Sequence, residues 1–228
     1  MNVAVRSDLV SKIVNTDQDP KFAIIGIHGW KGDENSFDPI VKLMNFNNVK
    51  WYLPKAPYLA KWNNEKGNSW FGGNESIGWK HEKTFSGMRS LLEKIINEGF
   101  SRKKIFMMGF SQGACLAIEF GLRLPFSLGG IIPIAGFIKY KDRLETDLNI
   151  KSKSTPILLM HGNEDDIIPV SAGKTANEIL HSLGFQIHFE TYDLGHKIPL
   201  NKKKLIYDFI NNPTKTVDSK KNLLIPNE

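Results

Sequence analysis

The five residues Gly109-Phe110-Ser111-Gln112-Gly113 constrain this chain more than any others. They follow an apolar run, Ile105 to Met108, that reads as a buried strand. They precede a segment from Ala114 to Leu122 with the composition of a buried helix. A strand that becomes a helix within so few residues needs a very tight turn, which only small flanking residues permit. The serine at the apex is then thrust out above the sheet with its hydroxyl exposed. A serine that merely caps a helix behind a glycine turn shares the local pattern, so the reading depends on finding partners for that hydroxyl.

Apolar runs alternate with helical periodicity along almost the whole sequence, which predicts an α/β fold with a mostly parallel central sheet and helices on both faces. Strands are expected at Lys21 to Ile27, Val49 to Leu53, Lys104 to Met108, Gly130 to Ile134 and Pro156 to Met160. Phe85, Met88, Leu92, Ile95 and Ile96 mark a long amphipathic helix closed by Gly99. Phe37, Ile40, Val41 and Met44 form a shorter stripe, with Asp33 to Ser36 offering caps, and Ala172, Ala176, Ile179, Leu180 and Leu183 another. Phe185, Ile187, Phe189 and Thr191 alternate with polar residues, as in a strand with one wet face. A last helix starts near Pro199 and buries Leu205, Ile206, Phe209 and Ile210. With 228 residues, one large domain over 1–212 is expected, followed by a polar, basic, loose tail over 213–228.

Composition narrows the class. The chain is 41% hydrophobic and 24% charged, ordinary for a soluble globular protein. Its single cysteine, Cys115, excludes an internal disulfide framework and fits the cytoplasm, the expected location. One helical turn beyond Ser111, it should pack inward. Met1 to Val14 lacks the apolar run of a signal peptide, and no stretch approaches the ~20 apolar residues of a membrane span. The net charge of +6 owes much to Lys202, Lys203, Lys204, Lys215, Lys220 and Lys221. A solvated helix face and tail is the expected reading; weak attraction to an anionic membrane surface or an acidic partner is the other. No nucleic-acid motif accompanies the charge.

A serine hydroxyl attacks only when a base takes its proton. Of the six histidines, His28 and His161 each follow a strand and precede glycine, which suits architecture. His81 and His181 lie in or beside helices, and His188 falls on the polar face of a strand. His196 alone follows the last strand in a loop, at the carboxyl edge of the sheet where Ser111 also emerges. The run His161-Gly162-Asn163-Glu164-Asp165-Asp166-Ile167-Ile168-Pro169 supplies three acids to orient that histidine. A metal site is the rival reading of those acids, but no metal-ligand spacing accompanies them. The order Ser, acid, His is that of α/β-hydrolases. Backbone N–H groups for a developing oxyanion are offered by Gln112 and by the loop His28-Gly29-Trp30-Lys31-Gly32-Asp33, from Trp30.

These residues resemble the phospholipase/carboxylesterase group of α/β-hydrolases, which includes the acyl-protein thioesterases. The similarity rests on Gly-Phe-Ser-Gln-Gly, on His161-Gly162 with Asp165 and Pro169, on the final Gly195-His196, on Pro54-Lys55-Ala56-Pro57 and on Ser69-Trp70-Phe71. It implies a single-domain α/β-hydrolase fold without cofactor, with Ser111 as nucleophile, His196 as base and Asp165 as the acid. It favours Trp30 and Gln112 as oxyanion donors. One departure is present: the family has a single residue between the glycines of the oxyanion loop, and here Trp30 and Lys31 both intervene.

Lipases commonly insert a lid after the strand that comes next beyond the nucleophile. Phe137 to Ser154 is too short for a separate lid domain, so an open site is expected. Pro57 to Trp79 shows no obvious element and holds Trp62, Trp70, Phe71 and Trp79. It reads either as a functional wall, with Trp70 and Phe71 lining the substrate, or as a local aromatic core. The reaction expected is hydrolysis of a carboxylic ester or acyl thioester, on a small molecule or an acylated protein, through an acyl-enzyme. A lysophospholipase and a non-catalytic binding module on the same fold are the alternatives.

Overall fold

A computed structural model describes residues 8–62, 65–74, 76 and 78–218. Its strands are β1 (Ser11–Asn15), β2 (Phe22–Ile27), β3 (Val49–Pro54), β4 (Tyr58–Trp62), β5 (Glu65–Ser69), β6 (Gly72–Asn74), β7 (Gly78–Lys80), β8 (Ile105–Phe110), β9 (Gly130–Ile134), β10 (Ile157–Gly162) and β11 (Ile187–Tyr192). The helices are α1 (Asp38–Met44), α2 (Glu82–Asn97), α3 (Gln112–Gly121), α4 (Lys141–Asp147), α5 (Val170–Ser182), α6 (Lys203–Asn211) and α7 (Pro213–Asp218).

A seven-stranded sheet in the order β1-β3-β2-β8-β9-β10-β11 forms the centre, parallel except for β1. Its middle strands are buried on both faces, which is why they read as unbroken apolar runs. In β8, Ile105 and Met107 face a core shared with α2, α3 and α5, while Phe106 and Met108 face a core shared with α1 and α6. The chain leaves β2 toward β3 on one side and leaves β8 toward β9 on the other. The carboxyl ends of β2 and β8 therefore flank a topological switch point, where such sheets form a crevice. No helix among the described residues is long and apolar enough to cross a membrane.

Four features depart from the sequence expectations. The segment after Pro57 holds two hairpins, β4–β5 and β6–β7, held by tertiary contacts rather than by any local apolar alternation. The side chain of Trp62 lies outside the described residues. Asp33 to Ser36 do not cap α1: Ser36 Oγ bonds the Asp33 amide at 2.8 Å, and α1 opens from Phe37 with no side-chain cap. In β11 the most buried residues are His188 and Tyr192, because both faces are covered. His188 Nδ1 donates to Thr216 O at 2.9 Å and its Nε2 lies 3.1 Å from Glu190, so α7 sits where a wet face was expected. Correspondingly, the tail is not loose from residue 213: α7 buries Val217. Lys215 lies in α7, whereas Lys220, Lys221 and Leu223 to Ile225 fall outside the described residues.

Candidate active site

β8 delivers Ser111 to the switch point. Ser111 has φ 55° and ψ −118°, a backbone conformation that L side chains rarely adopt. Such strain costs about 1–3 kcal/mol and persists only where the surroundings impose it. Here the Ser111 amide donates to Ile134 O at 2.9 Å, and its carbonyl accepts Ala114 and Cys115 at the start of α3. Both flanking glycines are obligatory. A Cβ at Gly109 would lie 2.2 Å from Gly113 O, and one at Gly113 would lie 2.2 Å from Ile27 O. The pentapeptide thus packs α3 directly on the end of β2. Cys115 is buried, as expected, and desolvation pushes its thiol up to about 12.

Asp165 and His196, the acid and base expected from the sequence, follow the ends of β10 and β11. His196 Nδ1 lies 2.8 Å from Asp165 Oδ2. Asp165 Oδ1 accepts the amides of Ile167 at 3.0 Å and Ile168 at 2.8 Å. Burial pushes the Asp165 carboxyl up, but the Ile168 amide, His196 and the Ile167 amide outweigh it and hold it below the usual carboxylate value. An ionised Asp165 can only accept, so Nδ1 carries the proton and Nε2 is left as the basic nitrogen. The two loops meet because a glycine lets them: a Cβ at Gly162 would lie 2.3 Å from Leu194 O. Tyr192 Oη donates to Lys197 O at 2.8 Å and pins the histidine loop from below. The Phe110 ring, immediately before Ser111, packs on the His196 ring with centroids 4.8 Å apart. The imidazole is thereby held against the residue that precedes Ser111.

Among the candidate acids, Asp165 is buried while Glu164 and Asp166 are exposed. Among the described residues no three His, Cys, Asp or Glu side chains converge as a metal site would require. His161 is architectural, as its position implied: its Nε2 donates to Ile168 O at 2.8 Å, next to the amides that hold Asp165. His28 is architectural too. Its Nε2 accepts the Ala56 amide at 3.1 Å and its Nδ1 donates to Gly29 O at 2.7 Å, and burial lowers its pKa.

The loop after β2 passes beside the serine. A Cβ on Gly29 would sit 3.4 Å from Ser111 Cβ. Lys31 turns its N–H away, donating to Asn68 O at 2.9 Å, so that amide is committed elsewhere. On the other side, Gln112 is locked by its side chain: Oε1 accepts the Trp70 amide at 2.9 Å and Nε2 donates to Ser69 Oγ at 2.9 Å. These contacts assign new roles to the Ser69-Trp70-Phe71 motif. Trp70 and Phe71, 0% and 2% exposed, do not line an open wall. Trp70 donates its indole N–H to His28 O at 2.8 Å and tilts against the His28 ring. Both belong to the core cluster of α2 and α3, as in the aromatic-core alternative, and the Trp70 indole has a buried carbonyl to satisfy it. Exposed aromatic surface near the site comes from Trp30, 44% exposed. Trp30, Phe37, Ile40, Phe110, His196 and Ile198 line an open cavity of roughly 490 Å³. Asn68, which bonds the loop after β2 twice, had no signal in the sequence beyond lying just before Ser69.

Comparison with known proteins shows the family and the fold. The family model described as Phospholipase/Carboxylesterase matches residues 9–213. An acyl-protein thioesterase 1 of Debaryomyces hansenii is 29% identical over 207 residues, covering 79% of this chain and 86% of that protein. A probable inactive carboxylesterase of Oryza sativa subsp. japonica is 27% identical, covering 77% and 78% of the two chains. The crystal structure of Arabidopsis thaliana SOBER1 superposes with a TM-score of 0.75 at 26% identity, covering 83% of this chain and 97% of that one.

Proposed function

Since this chain belongs to the phospholipase/carboxylesterase family of α/β-hydrolases and is an ester-hydrolysing enzyme, we propose that it cleaves carboxylic esters or acyl thioesters through Ser111, His196 and Asp165. The observation that carries the reading is the 2.8 Å bond between His196 and a buried, ionised Asp165, beside a serine strained to φ 55°.

Ser111 Oγ attacks the acyl carbonyl while His196 Nε2 takes its proton. The amides of Gln112 and Trp30 stabilise the tetrahedral oxyanion. Collapse of that intermediate expels an alkoxide or thiolate, which receives the proton from His196. Water, deprotonated by the same nitrogen, then releases the acid from Ser111. Asp165 keeps its charge throughout and holds the imidazole in the required tautomer.

The segment beyond β9 sets access. Phe137 to Ser154 holds α4 and a single 3₁₀ turn at Ile150–Ser152, so this insertion builds no lid domain. Trp30, Phe37, Ile40 and Ile198 give the cavity an apolar wall suited to an acyl chain or an apolar leaving group. The relative named as an acyl-protein thioesterase supports thioesters, on small carriers or acylated proteins, as substrates beside oxygen esters. A panel of p-nitrophenyl esters of increasing chain length, palmitoyl-peptide thioesters and lysophospholipids tests the reading. Turnover of an ester or thioester that Ser111→Ala abolishes supports it. Exclusive turnover of lysophospholipids points to the lysophospholipase alternative, and no turnover by folded protein points to a binding module.

A further inference from the structure

We propose that strand β5, through Gly67, Asn68 and Ser69, is the positioning element of the oxyanion hole and sets the rate of the chemical step without touching substrate. The proposal rests on the hydrolase reading and goes beyond it by assigning work to a hairpin outside the triad.

Three consecutive residues of β5 and the residue after them reach Gln112 and the two residues that follow Trp30 in its loop. On the side of β2, Gly67 packs backbone to backbone on Lys31: a Cβ there would lie 2.6 Å from both Lys31 Cα and Lys31 O. Asn68 then grips the loop at two points, accepting the Lys31 amide through its own carbonyl at 2.9 Å and donating from Nδ2 to Gly32 O at 2.9 Å. On the side of α3, Ser69 Oγ and the Trp70 amide hold both ends of the Gln112 carboxamide, at 2.9 Å each.

The need for this clamp is local. Two residues, Trp30 and Lys31, separate the loop glycines, and Lys31 sits at φ 67°, in the left-handed region that costs a residue with a Cβ. A loop carrying that strain relaxes unless something outside it imposes the turn. The bond from the Lys31 N–H to Asn68 O fixes the peptide next to Trp30, whose amide is a donor in the proposed mechanism. Donors act in full only when they lie at hydrogen-bond distance from the oxyanion's position, so a shift of the turn by a few tenths of an ångström weakens the transition state more than the ground state.

Gly67→Ala tests this directly, because its added methyl must displace the Lys31 backbone. Removing one oxyanion donor costs about 10²–10³ in kcat, and a displaced donor is expected to cost about 10–100-fold. The loss should appear in kcat per Ser111 site titrated with a fluorophosphonate, with KM within about twofold. Affinity for a trifluoromethyl ketone, which adds Ser111 and places an oxyanion in the hole, should fall in parallel. A purely structural role would lower the titratable fraction and leave kcat per site intact. Should Gly67→Ala fail to fold, Asn68→Ala deletes only the Gly32 bond, and a smaller loss of about 3–10-fold with the same inhibitor parallel is expected. Lys66→Ala, an exposed change on the same strand, should leave every readout unchanged. Wild-type kcat per site in Gly67→Ala and Asn68→Ala overturns the proposal while leaving the hydrolase reading in place. A wild-type protein that turns over no ester or thioester overturns both.

Discussion

His196 Nδ1 and Asp165 Oδ2 are 2.8 Å apart, and the other oxygen of the same carboxylate is held by two backbone amides. The Asp165 carboxylate is therefore fixed from both sides, by backbone and by imidazole. Asp166, the next residue, is exposed. Asp165→Asn should lower kcat by about 10⁴ through the wrong imidazole tautomer, with the fold retained. Asp166→Asn should stay within about twofold of wild type, since it removes no contact to the imidazole. Steady-state kinetics on one soluble ester compares the two, and equal losses would remove Asp165 from its role.

The same contacts predict a signature in acid. Burial raises the Asp165 pKa, but the Ile168 amide, His196 and the Ile167 amide lower it further, so its folded value lies below its unfolded one. Stability from this group is then complete above the unfolded value of about 4 and is lost as pH falls through the folded value. Asp165→Asn has nothing to titrate there. The stability gap between wild type and Asp165→Asn, measured by urea unfolding, should narrow as pH drops below about 4. A gap that widens on acidification would contradict the depressed carboxyl.

Trp70 is a support of the core and not a wall of the site. Trp70→Ala opens a cavity beneath His28 and should cost about 3–5 kcal/mol. Chain-length preference among p-nitrophenyl esters should be unchanged, since the Gln112 contact uses the Trp70 backbone amide. Wild-type stability with an altered chain-length preference would restore a substrate-lining role.

Much of this was legible in the residues. β2, β8, β9 and β10 are buried on both faces, so each reads as an unbroken apolar run whatever its neighbours. The elbow glycines are fixed by contacts within a few residues and with β2, and they leave a local pattern. The β4–β7 hairpins leave none, because Gly67 is required by the approach of Lys31, a residue remote in sequence. Trp70 sits among glycines and asparagines that look like a surface loop, yet its indole N–H is satisfied by His28 O. In β11 the alternation implied a wet face that is in fact covered, since His188 is buried by bonding Thr216 of a helix that the polar composition of 213–218 conceals.

That helix makes truncation informative. Ending the chain at Asn212 removes Val217 from the core and takes away the Thr216 carbonyl that His188 bonds. Burying a valine contributes about 1.5–3 kcal/mol, so a loss of at least that size is expected. Among the described residues α7 packs on α6 and β11, so kinetics on a soluble ester should hold at temperatures where the truncated protein stays folded. Differential scanning calorimetry of the shortened chain checks the first point, and an unchanged melting temperature would mean that α7 does not stabilise β11.

The central claim is that Ser111 is the nucleophile, activated by His196. Incubation with a fluorophosphonate and then peptide mass spectrometry reads this at the atom concerned. One phosphonyl adduct on Ser111 is predicted, formed in parallel with loss of ester turnover, absent from Ser111→Ala and strongly slowed in His196→Ala. Esterase turnover that persists in Ser111→Ala, or an adduct on another residue that tracks the loss of activity, would contradict the account.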